Sequence, residues 1–245
     1  MPDLYLIVLH KPGVRRAQLD LLLRSVEENW PDAFPVILNA DSGHDFQRDL
    51  EMLLACNDSP YTAFACDDGV VFRPIDDRLY KLALAQPNVL CWSARLGANT
   101  TRCDPTGRDQ TPPAYVGVRP WRWTDAEGDF AYPGSVDAHV FRSDHLRELL
   151  TLPTPNPTAL ECALTEGCKL VSWPYTLMAS GRLSAYTGVP VNRVSDQSGV
   201  VHGRRHPQTV EELDARYAAG ERIDLDSIDP SQVDAAHTEL LFRWS

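Results

Sequence analysis

The feature that most constrains the fold is an alternation of two apolar patterns in the first 93 residues. Short continuous apolar runs, which are typical of strands buried on both faces, alternate with longer segments in which apolar residues recur every three or four positions. The second pattern is typical of helices with one apolar face. Strands and helices that alternate over short connections predict an α/β fold, with a largely parallel sheet and helices on both faces.

The patterns assign individual elements. The apolar runs predict strands at residues 4–9, 35–38, 61–66 and 89–92, and the amphipathic segments predict helices at 15–30, 45–56 and 76–85. Residues 95–129 are rich in Thr, Pro, Gly and Arg and are expected to form loops. A strand at 138–141, a helix at 144–150, a helix that begins at Pro157 and a strand at 169–173 are predicted next. Thr209 and Glu212 form a capping-box sequence before a last helix, which Gly220 is placed to end.

Composition limits the classes of protein to which the chain can belong. Its 245 residues, 43% hydrophobic and 23% charged, suffice for one domain with a C-terminal extension. No window approaches the roughly 20 apolar residues of a membrane span and the N-terminus does not resemble a signal peptide, so a cytoplasmic protein is expected. The six cysteines form no CxxC pair, which favours reduced, structural thiols. The net charge of −11 argues against a nucleic-acid partner, and an anionic ligand would need a cation.

The third predicted strand ends in two adjacent carboxylates, Asp67 and Asp68, followed by Gly69. Neighbouring carboxylates at the end of a buried strand repel each other and lose solvation, so a divalent cation or a polar ligand usually compensates such a pair. The pair therefore predicts a metal site. A solvated turn before Gly69 is the alternative, since Asp is also common in turns.

Polar residues follow the other predicted strands as well. His10 and Pro12 come after the first strand, and Asn39 and Asp41 come after the second. Ligands of parallel sheets bind outside the carboxyl ends of the strands, so these residues are expected near Asp67. The segment NADSG around Asn39 is also an ordinary turn sequence, and both interpretations stay open.

Two groups of side chains in the 95–129 segment allow two interpretations each. The arginines of this segment are suited to binding phosphate, although scattered loop arginines are more often solvated. They are Arg95, Arg102 and Arg108. Trp121 and Trp123 are suited to stacking on sugars and equally suited to core packing.

The order of elements resembles that of a known class of enzyme. A short strand, a helix, a strand ending in a polar loop, a helix and then CDDGVVFRPIDDRL are similar to the nucleotide-binding half of GT-A nucleotide-sugar glycosyltransferases, in which an aspartate-rich motif ends a strand. YPGSVDAHVFRSDHL and NPTALECALTEGCKLVSWP resemble acceptor-side segments of family-2-like members. RLGANT, VNRV and HTELLFRW look like a bacterial subgroup. The aspartate pair is the one sharp match.

The resemblance implies a division of the chain. Residues 1–205 would form a GT-A catalytic domain, a Rossmann-like α/β unit with a mostly parallel central sheet. Its nucleotide-binding half would be 1–93 and its acceptor half 94–205. Residues 206–245 would be a C-terminal helical extension, because they carry too few apolar residues for an independent core.

The resemblance also implies roles in donor binding. Asp68 would bind Mg²⁺ or Mn²⁺ that bridges the diphosphate of a sugar nucleotide, and Asp67 would contact the ribose or the metal. His202 would be a further metal or phosphate ligand, although a loop histidine is more often only a surface residue. The base and ribose pocket would be lined by His10, Pro12, Asn39 and Asp41.

Two acidic residues are candidates for the catalytic base. Glu161 stands where the resemblance places the base that takes the proton of the acceptor hydroxyl. Asp137 is the rival for that role, or an acceptor contact. Each residue also has a structural interpretation: Glu161 as an acid near a helix N-terminus, and Asp137 as a residue that caps or turns a strand end.

Two functions of different classes remain. The first is a metal-dependent glycosyltransferase that moves a sugar from a nucleotide-diphosphate donor to a hydroxyl of a glycan or glycoconjugate, as in bacterial polysaccharide biosynthesis. The second is a non-catalytic nucleotide- or carbohydrate-binding α/β protein. A nucleotidyltransferase is less favoured, because no glycine-rich phosphate loop with a nearby lysine follows the first strand.

Overall fold

A computed structural model describes residues 2–13, 15–40, 45–150, 152–170, 175–189 and 207–245. The strands of these ranges are β1 (Leu4–His10), β2 (Ala33–Asn39), β3 (Tyr61–Cys66), β4 (Gly69–Val71), β5 (Val89–Ser93), β6 (Arg102–Cys103), β7 (Arg108–Asp109), β8 (Trp121–Arg122), β9 (His139–Arg142), β10 (Leu177–Ser180) and β11 (Tyr186–Gly188). The α-helices are α1 (Arg16–Asn29), α2 (Phe46–Ala55), α3 (Asp77–Leu84), α4 (Ser143–Leu149), α5 (Pro157–Leu170) and α6 (Val210–Ala218).

A central sheet of seven strands, in the order β2-β1-β3-β9-β5-β10-β8, organises the fold. β1 pairs in parallel with β2 and β3, and β10 pairs in parallel with β5. β9 lies antiparallel between β3 and β5, and β8 is antiparallel to β10 at the sheet edge. All strands of this sheet except β8 and β9 therefore run in one direction. The predicted class, a mostly parallel α/β sheet flanked by helices, is confirmed and is consistent with a Rossmann-like GT-A fold.

Each face of the sheet has its own apolar core. Because side chains alternate along a strand, Leu6 and Val8 of β1 lie in the first core, whereas Ile7 and Leu9 lie in the second. Helices α1 and α3 cover the first core, and α2, α4 and α5 cover the second. Burial on both faces explains why β1, β3 and β5 are continuously apolar. No helix in the described part of the chain is long and apolar enough to cross a membrane.

The antiparallel strand β9 shapes one edge of the sheet. Its first residue, His139, pairs with Ser93 at the end of β5. The residues just before β9 therefore lie next to the last residues of β1, β3 and β5. We call this side of the sheet the carboxyl edge.

The predicted elements are present within two residues of their expected ends, with one exception. The strand predicted at 169–173 is wrong at its start, because Lys169 and Leu170 form the last turn of α5. Residues 171–173 lie outside the described residues. Gly167 does not end the helix: a Cβ on it would lie 2.2 Å from the carbonyl oxygen of Leu149, so glycine is required here for close packing with α4.

The C-terminal segment packs back on the α/β core. The predicted capping box is confirmed, since the side chains of Thr209 and Glu212 each accept a hydrogen bond from the other's backbone N–H at the start of α6. Asp214 of α6 accepts a hydrogen bond of 3.0 Å from the backbone N–H of Ala17 in α1. Apolar residues after α6 join α1 and β4 in a third cluster, formed by Leu21, Val70, Phe72, Val189, Ile223, Ile228, Val233 and Leu240.

Candidate functional site

The ends of β1 and β3 bring His10 and Asp67 into contact at the carboxyl edge. Asp67 is 2% exposed, and both of its carboxylate oxygens have partners. Oδ2 lies 2.9 Å from Nδ1 of His10 and accepts a hydrogen bond from the backbone N–H of Lys11, while Oδ1 accepts one of 2.7 Å from Arg15. Burial alone would raise the pKa of Asp67, but the hydrogen bond with His10 and the charge of Arg15 lower it. Asp67 is therefore a fully bonded carboxylate anion.

Arg15 is the cation of this cluster. It precedes α1 with a φ of +66°, a left-handed conformation that is uncommon for residues other than glycine. Its side chain is turned toward the end of β3, where Nη1 lies 2.7 Å from Oδ1 of Asp67 and 2.9 Å from Oδ2 of Asp68. Although burial opposes it, the charges of Asp68 and Asp67 raise the pKa of Arg15. One guanidinium nitrogen thus bridges both carboxylates.

Asp68 has fewer partners than Asp67. Its Oδ2 is paired with Arg15, and no hydrogen bond reaches Oδ1 from the described residues. Burial raises the pKa of Asp68; the charge of Arg15 opposes this shift, and the charges of Asp67 and Asp137 add to it. Asp68 is therefore the carboxylate of the pair that can take a further cation.

Asp137 lies just before β9, at the same edge. Ala138, which follows it, has a φ of +52° and turns the chain into the strand. Oδ2 of Asp137 lies 3.1 Å from Nε2 of His237 and 3.4 Å from Nη1 of Arg95, and Oδ1 accepts a hydrogen bond of 3.4 Å from Tyr186. Burial opposes ionisation, but the bond with His237 and the charges of His237 and Arg95 hold the pKa of Asp137 well below its usual range.

Glu161 stands in the second turn of α5 and is partly exposed. Its carboxylate accepts a hydrogen bond from the backbone of Val136 and lies within the electrostatic reach of Asp137. Burial raises the pKa of Glu161 and the charge of Asp137 raises it further, against the effect of Arg95. The two candidate bases are thus neighbours with opposite pKa shifts.

His237 enters the site from the C-terminal segment, 100 residues from Asp137 along the chain. This segment runs beside β11: the N–H of Gly188 donates to the carbonyl of Ala236, and the N–H of Thr238 donates to the carbonyl of Gly188. A Cβ on Gly188 would lie 2.5 Å from Cδ2 of His237, so the absence of a side chain at this position admits the imidazole. The segment HTELLFRW, which carries part of the resemblance, begins at this residue, but the sequence predicted no role for its side chain.

Arg95 lies just after β5 and is 2% exposed, so the interpretation of this arginine as a solvated one is wrong. Its Nη1 also donates to the hydroxyl of Ser135 at 2.9 Å, and its Nη2 donates to Asp129 at 3.0 Å. Asp129 in turn accepts a hydrogen bond of 3.0 Å from Gln110. A chain of buried polar groups therefore joins the loops after β5 to Asp137.

The other residues of the 95–129 segment lie elsewhere. Arg102 is paired with Asp104 and Asp234. Trp121 and Trp123 are each 8% exposed and lie in the second core, which agrees with core packing. Neither tryptophan presents an open surface on which a sugar could stack.

The remaining candidates for the nucleotide pocket are placed less centrally. Pro12 is exposed in the turn after β1. Asn39 ends β2 in register with His10, as expected for two strand ends at one edge. Asp41 and His202 lie outside the described residues, so their roles stay predictions.

The carboxylate oxygens at the carboxyl edge can be compared with the ligands that a divalent cation requires. Both oxygens of Asp67 are engaged by His10, Lys11 and Arg15, whereas Oδ1 of Asp68 has no hydrogen-bond partner among the described residues. In the ranges that the structure describes, no group of three or more His, Cys, Asp and Glu side chains is arranged to hold a metal ion. Mg²⁺ is usually bound by one or two carboxylates together with substrate phosphates and water. The described side chains therefore do not form a complete cation site by themselves, and a cation at Asp68 would need further ligands such as phosphate and water.

Similarity to known proteins is found among solved structures. No protein-family model matches the chain, and no curated protein matches its sequence. Among solved structures, the chain is similar to a crystal structure of S. aureus TarS, with a TM-score of 0.47 and 11% sequence identity over 80% of this chain. The chain spans 38% of the length of that TarS chain. The roles of the site residues therefore rest on the geometry described above.

Proposed function

We propose that the protein is a glycosyltransferase that takes a nucleotide-diphosphate sugar as donor and a hydroxyl of a glycan or glycoconjugate as acceptor. The observation that supports this function is the gathering of four carboxylates at the carboxyl edge: Asp67, Asp68, Asp137 and Glu161. The charge of Asp137 acts on the pKa of both Asp68 and Glu161, so the acids form one electrostatic unit. Sugar transfer uses acids in two ways, to hold the diphosphate through a cation and to accept a proton.

Glu161 is the better general base of the two candidates. A general base works best when its pKa lies near the operating pH, and the pKa of Glu161 is raised. Asp137 is held as an anion by charged donors, so it attracts a proton weakly. In the proposed reaction Glu161 takes the proton of the acceptor hydroxyl while that oxygen bonds to the anomeric carbon. The bond from this carbon to the diphosphate breaks, and its electron pair leaves with the diphosphate.

Asp137 has a positioning role in this proposal. Its carboxylate fixes the side chains of Arg95, His237 and Tyr186 beside the proposed base. Arg95 is also tied to Asp129, so the loops after β5 are kept in place over the acceptor side. The nucleotide contacts of His10, Pro12, Asn39 and Asp41 stay predictions.

In this proposal the described residues contact a divalent cation, Mg²⁺ or Mn²⁺, through one atom. Oδ1 of Asp68 would hold it together with phosphate oxygens of the donor. Such a cation supplies Lewis acidity for the departing diphosphate.

The nucleotide site is tested by thermal unfolding with a panel of nucleoside diphosphates, with and without Mn²⁺. One base is expected to raise the Tm, since a ligand at 100 times its Kd adds about 2.7 kcal/mol to the stability. Asp68→Asn should remove the Mn²⁺-dependent part of the shift. Asp58→Asn, which changes an exposed aspartate, is the matched control and should keep it.

Turnover distinguishes the enzyme from a non-catalytic binder. Hydrolysis of the sugar nucleotide that binds is expected in the wild type, because water can replace the acceptor slowly. It should be lost in Glu161→Gln and kept in Glu166→Gln, an exposed glutamate of the same helix. Nucleotide binding without turnover in the wild type would favour the binding protein, and no binding of any sugar nucleotide would refute the proposed function.

A further inference from the structure

The guanidinium of Arg15 occupies the space that a metal ion bridging the two aspartates would need. Its Nη1 lies 2.7 Å from Oδ1 of Asp67 and 2.9 Å from Oδ2 of Asp68. A Mg²⁺ that bridged these same two oxygens would have to approach each of them to about 2.0–2.1 Å. The guanidinium and a bridging ion therefore exclude each other.

The position of Arg15 is built into the chain. The residue is 6% exposed and keeps a left-handed backbone that L-residues rarely adopt, directly before the first turn of α1. Such a conformation persists only where the surroundings compensate it, and here two ion pairs do so. Asp67 is further fixed by His10 and the backbone of Lys11, so the acceptor of one ion pair cannot turn away.

We propose that Arg15 is a built-in counter-cation of the Asp67–Asp68 pair, which keeps the pair closed to a free divalent cation. A cation then binds only at Oδ1 of Asp68 and only together with a diphosphate. This order of binding rests in part on the proposed function, which assigns the diphosphate. The closure of the pair by Arg15 does not depend on the substrate.

The charges of the three side chains support this inference. Two ionised aspartates and one arginine leave a single negative charge, which is too little to hold a strongly hydrated divalent ion without further ligands. Without the guanidinium, two carboxylates would face each other at the end of a buried strand. Their repulsion and lost solvation would then be compensated best by a divalent ion. Removal of Arg15 should therefore create a metal site.

The experiment measures Mn²⁺ binding by electron paramagnetic resonance on the full chain without nucleotide. Arg15→Met removes the charge, Arg15→Lys keeps it, and Arg16→Met changes the neighbouring arginine, whose side chain is 55% exposed. We expect Arg15→Met to bind Mn²⁺ at least tenfold more tightly than the wild type, Arg15→Lys and Arg16→Met. Adding Asp68→Asn to Arg15→Met should abolish the gain.

Two results would overturn the inference. One is Mn²⁺ binding by the nucleotide-free wild type as tight as that of Arg15→Met. The other is a failure of Arg15→Met to respond to Mn²⁺. If circular dichroism shows this variant to be folded, the contradicting result is that it does not bind Mn²⁺. If the variant is unfolded, the contradicting result is that adding Mn²⁺ does not refold it. Failure of the proposed function is a separate result. If no nucleoside diphosphate binds under any condition, the proposed nucleotide-sugar donor is refuted. The Mn²⁺ binding of Arg15→Met still decides the role of Arg15.

Discussion

Single carboxylates at the carboxyl edge differ in the direction of their pKa shift because their surroundings differ. Asp137 and Glu161 both lie in surroundings that disfavour charge. For Asp137 the hydrogen bond with His237 and the charges of His237 and Arg95 outweigh burial, and its pKa is lowered. For Glu161 burial and the charge of Asp137 outweigh the charges of Arg95 and His237 and one backbone hydrogen bond, and its pKa is raised. A pair of titratable groups whose pKa values are driven apart is the usual basis for separate acid–base roles.

Glu161→Gln is expected to stabilise the folded protein at neutral pH. The folded-state pKa of Glu161 is raised above the ordinary value of 4.5, so the ionised side chain opposes folding. The wild-type free energy of unfolding should therefore fall as the pH rises from below 4.5 through the raised pKa, and Glu161→Gln should lack this part of the fall. Urea denaturation between about pH 4 and pH 8 measures it. Glu166→Gln should show no gain; equal pH profiles for wild type and Glu161→Gln would contradict the assignment.

Asp137→Asn is expected to destabilise the protein by about 3–5 kcal/mol at pH 7, because the charge of Arg95 stays buried with one partner fewer. The pKa of Asp137 is lowered, so its stabilisation is present above the ordinary value of 3.8 and is lost as the pH falls through the lowered value. The deficit of the variant in urea denaturation should thus shrink in acid. Asp125→Asn, at an exposed ion pair with Arg122, should change the stability by less than about 1 kcal/mol.

Among the secondary-structure elements, local sequence patterns predicted the features that depend on contacts between sequence neighbours. The helix from Pro157 follows Asn156, whose Oδ1 accepts a hydrogen bond from the backbone of Ala159, so its start could be read from the cap. The end of this helix could not be predicted in the same way, because Gly167 is needed for close contact with α4 and does not mark the end of the helix. The antiparallel direction of β9 depends on distant strands and also left no local signal.

The link between α1 and α6 gives a prediction at this scale. Asp214→Ala should destabilise the protein by about 0.5–2 kcal/mol, because the N–H of Ala17 in the first turn of α1 loses its acceptor. Chemical denaturation followed by far-UV circular dichroism measures the loss. Glu211→Ala, an exposed residue of the same helix, is the control. Equal stabilities of the two variants would show that the link contributes nothing.

The site residues whose positions follow from nearby sequence could be predicted, and those whose positions depend on distant contacts or on an unusual backbone conformation could not. Asp67 and Asp68 stand out because the acids end an apolar run, and the contact of His10 with Asp67 follows from parallel strands sharing an edge. The position of the Arg15 side chain depends on a backbone φ of +66°, which no pattern of arginines in the sequence predicts. His237 depends on contacts across 100 residues of chain. Arg15 and His237 were therefore the partners of the acids that sequence reasoning did not supply.

In the whole molecule, the C-terminal segment closes the site by placing His237 against Gly188. Gly188→Ala should displace the imidazole from Asp137 and lower the Tm, since its Cβ would lie 2.5 Å from Cδ2 of His237. His237→Ala should also lower the Tm. Because both act on one contact, the loss in the double variant should be smaller than the sum of the single losses. Additive losses in a thermal double-mutant cycle would contradict this coupling.

The strand that runs against its neighbours has a consequence for how the molecule can diversify. Since β9 starts where β5 stops, the long excursion between them leaves and re-enters the sheet at adjacent points. The excursion also supplies β8 at the far edge and Trp121 and Trp123 to the second core, so only its exposed stretches, such as residues 105–109, can lengthen, shorten or change composition without shifting the strand register. Related proteins built on this plan would be expected to differ most in these exposed stretches.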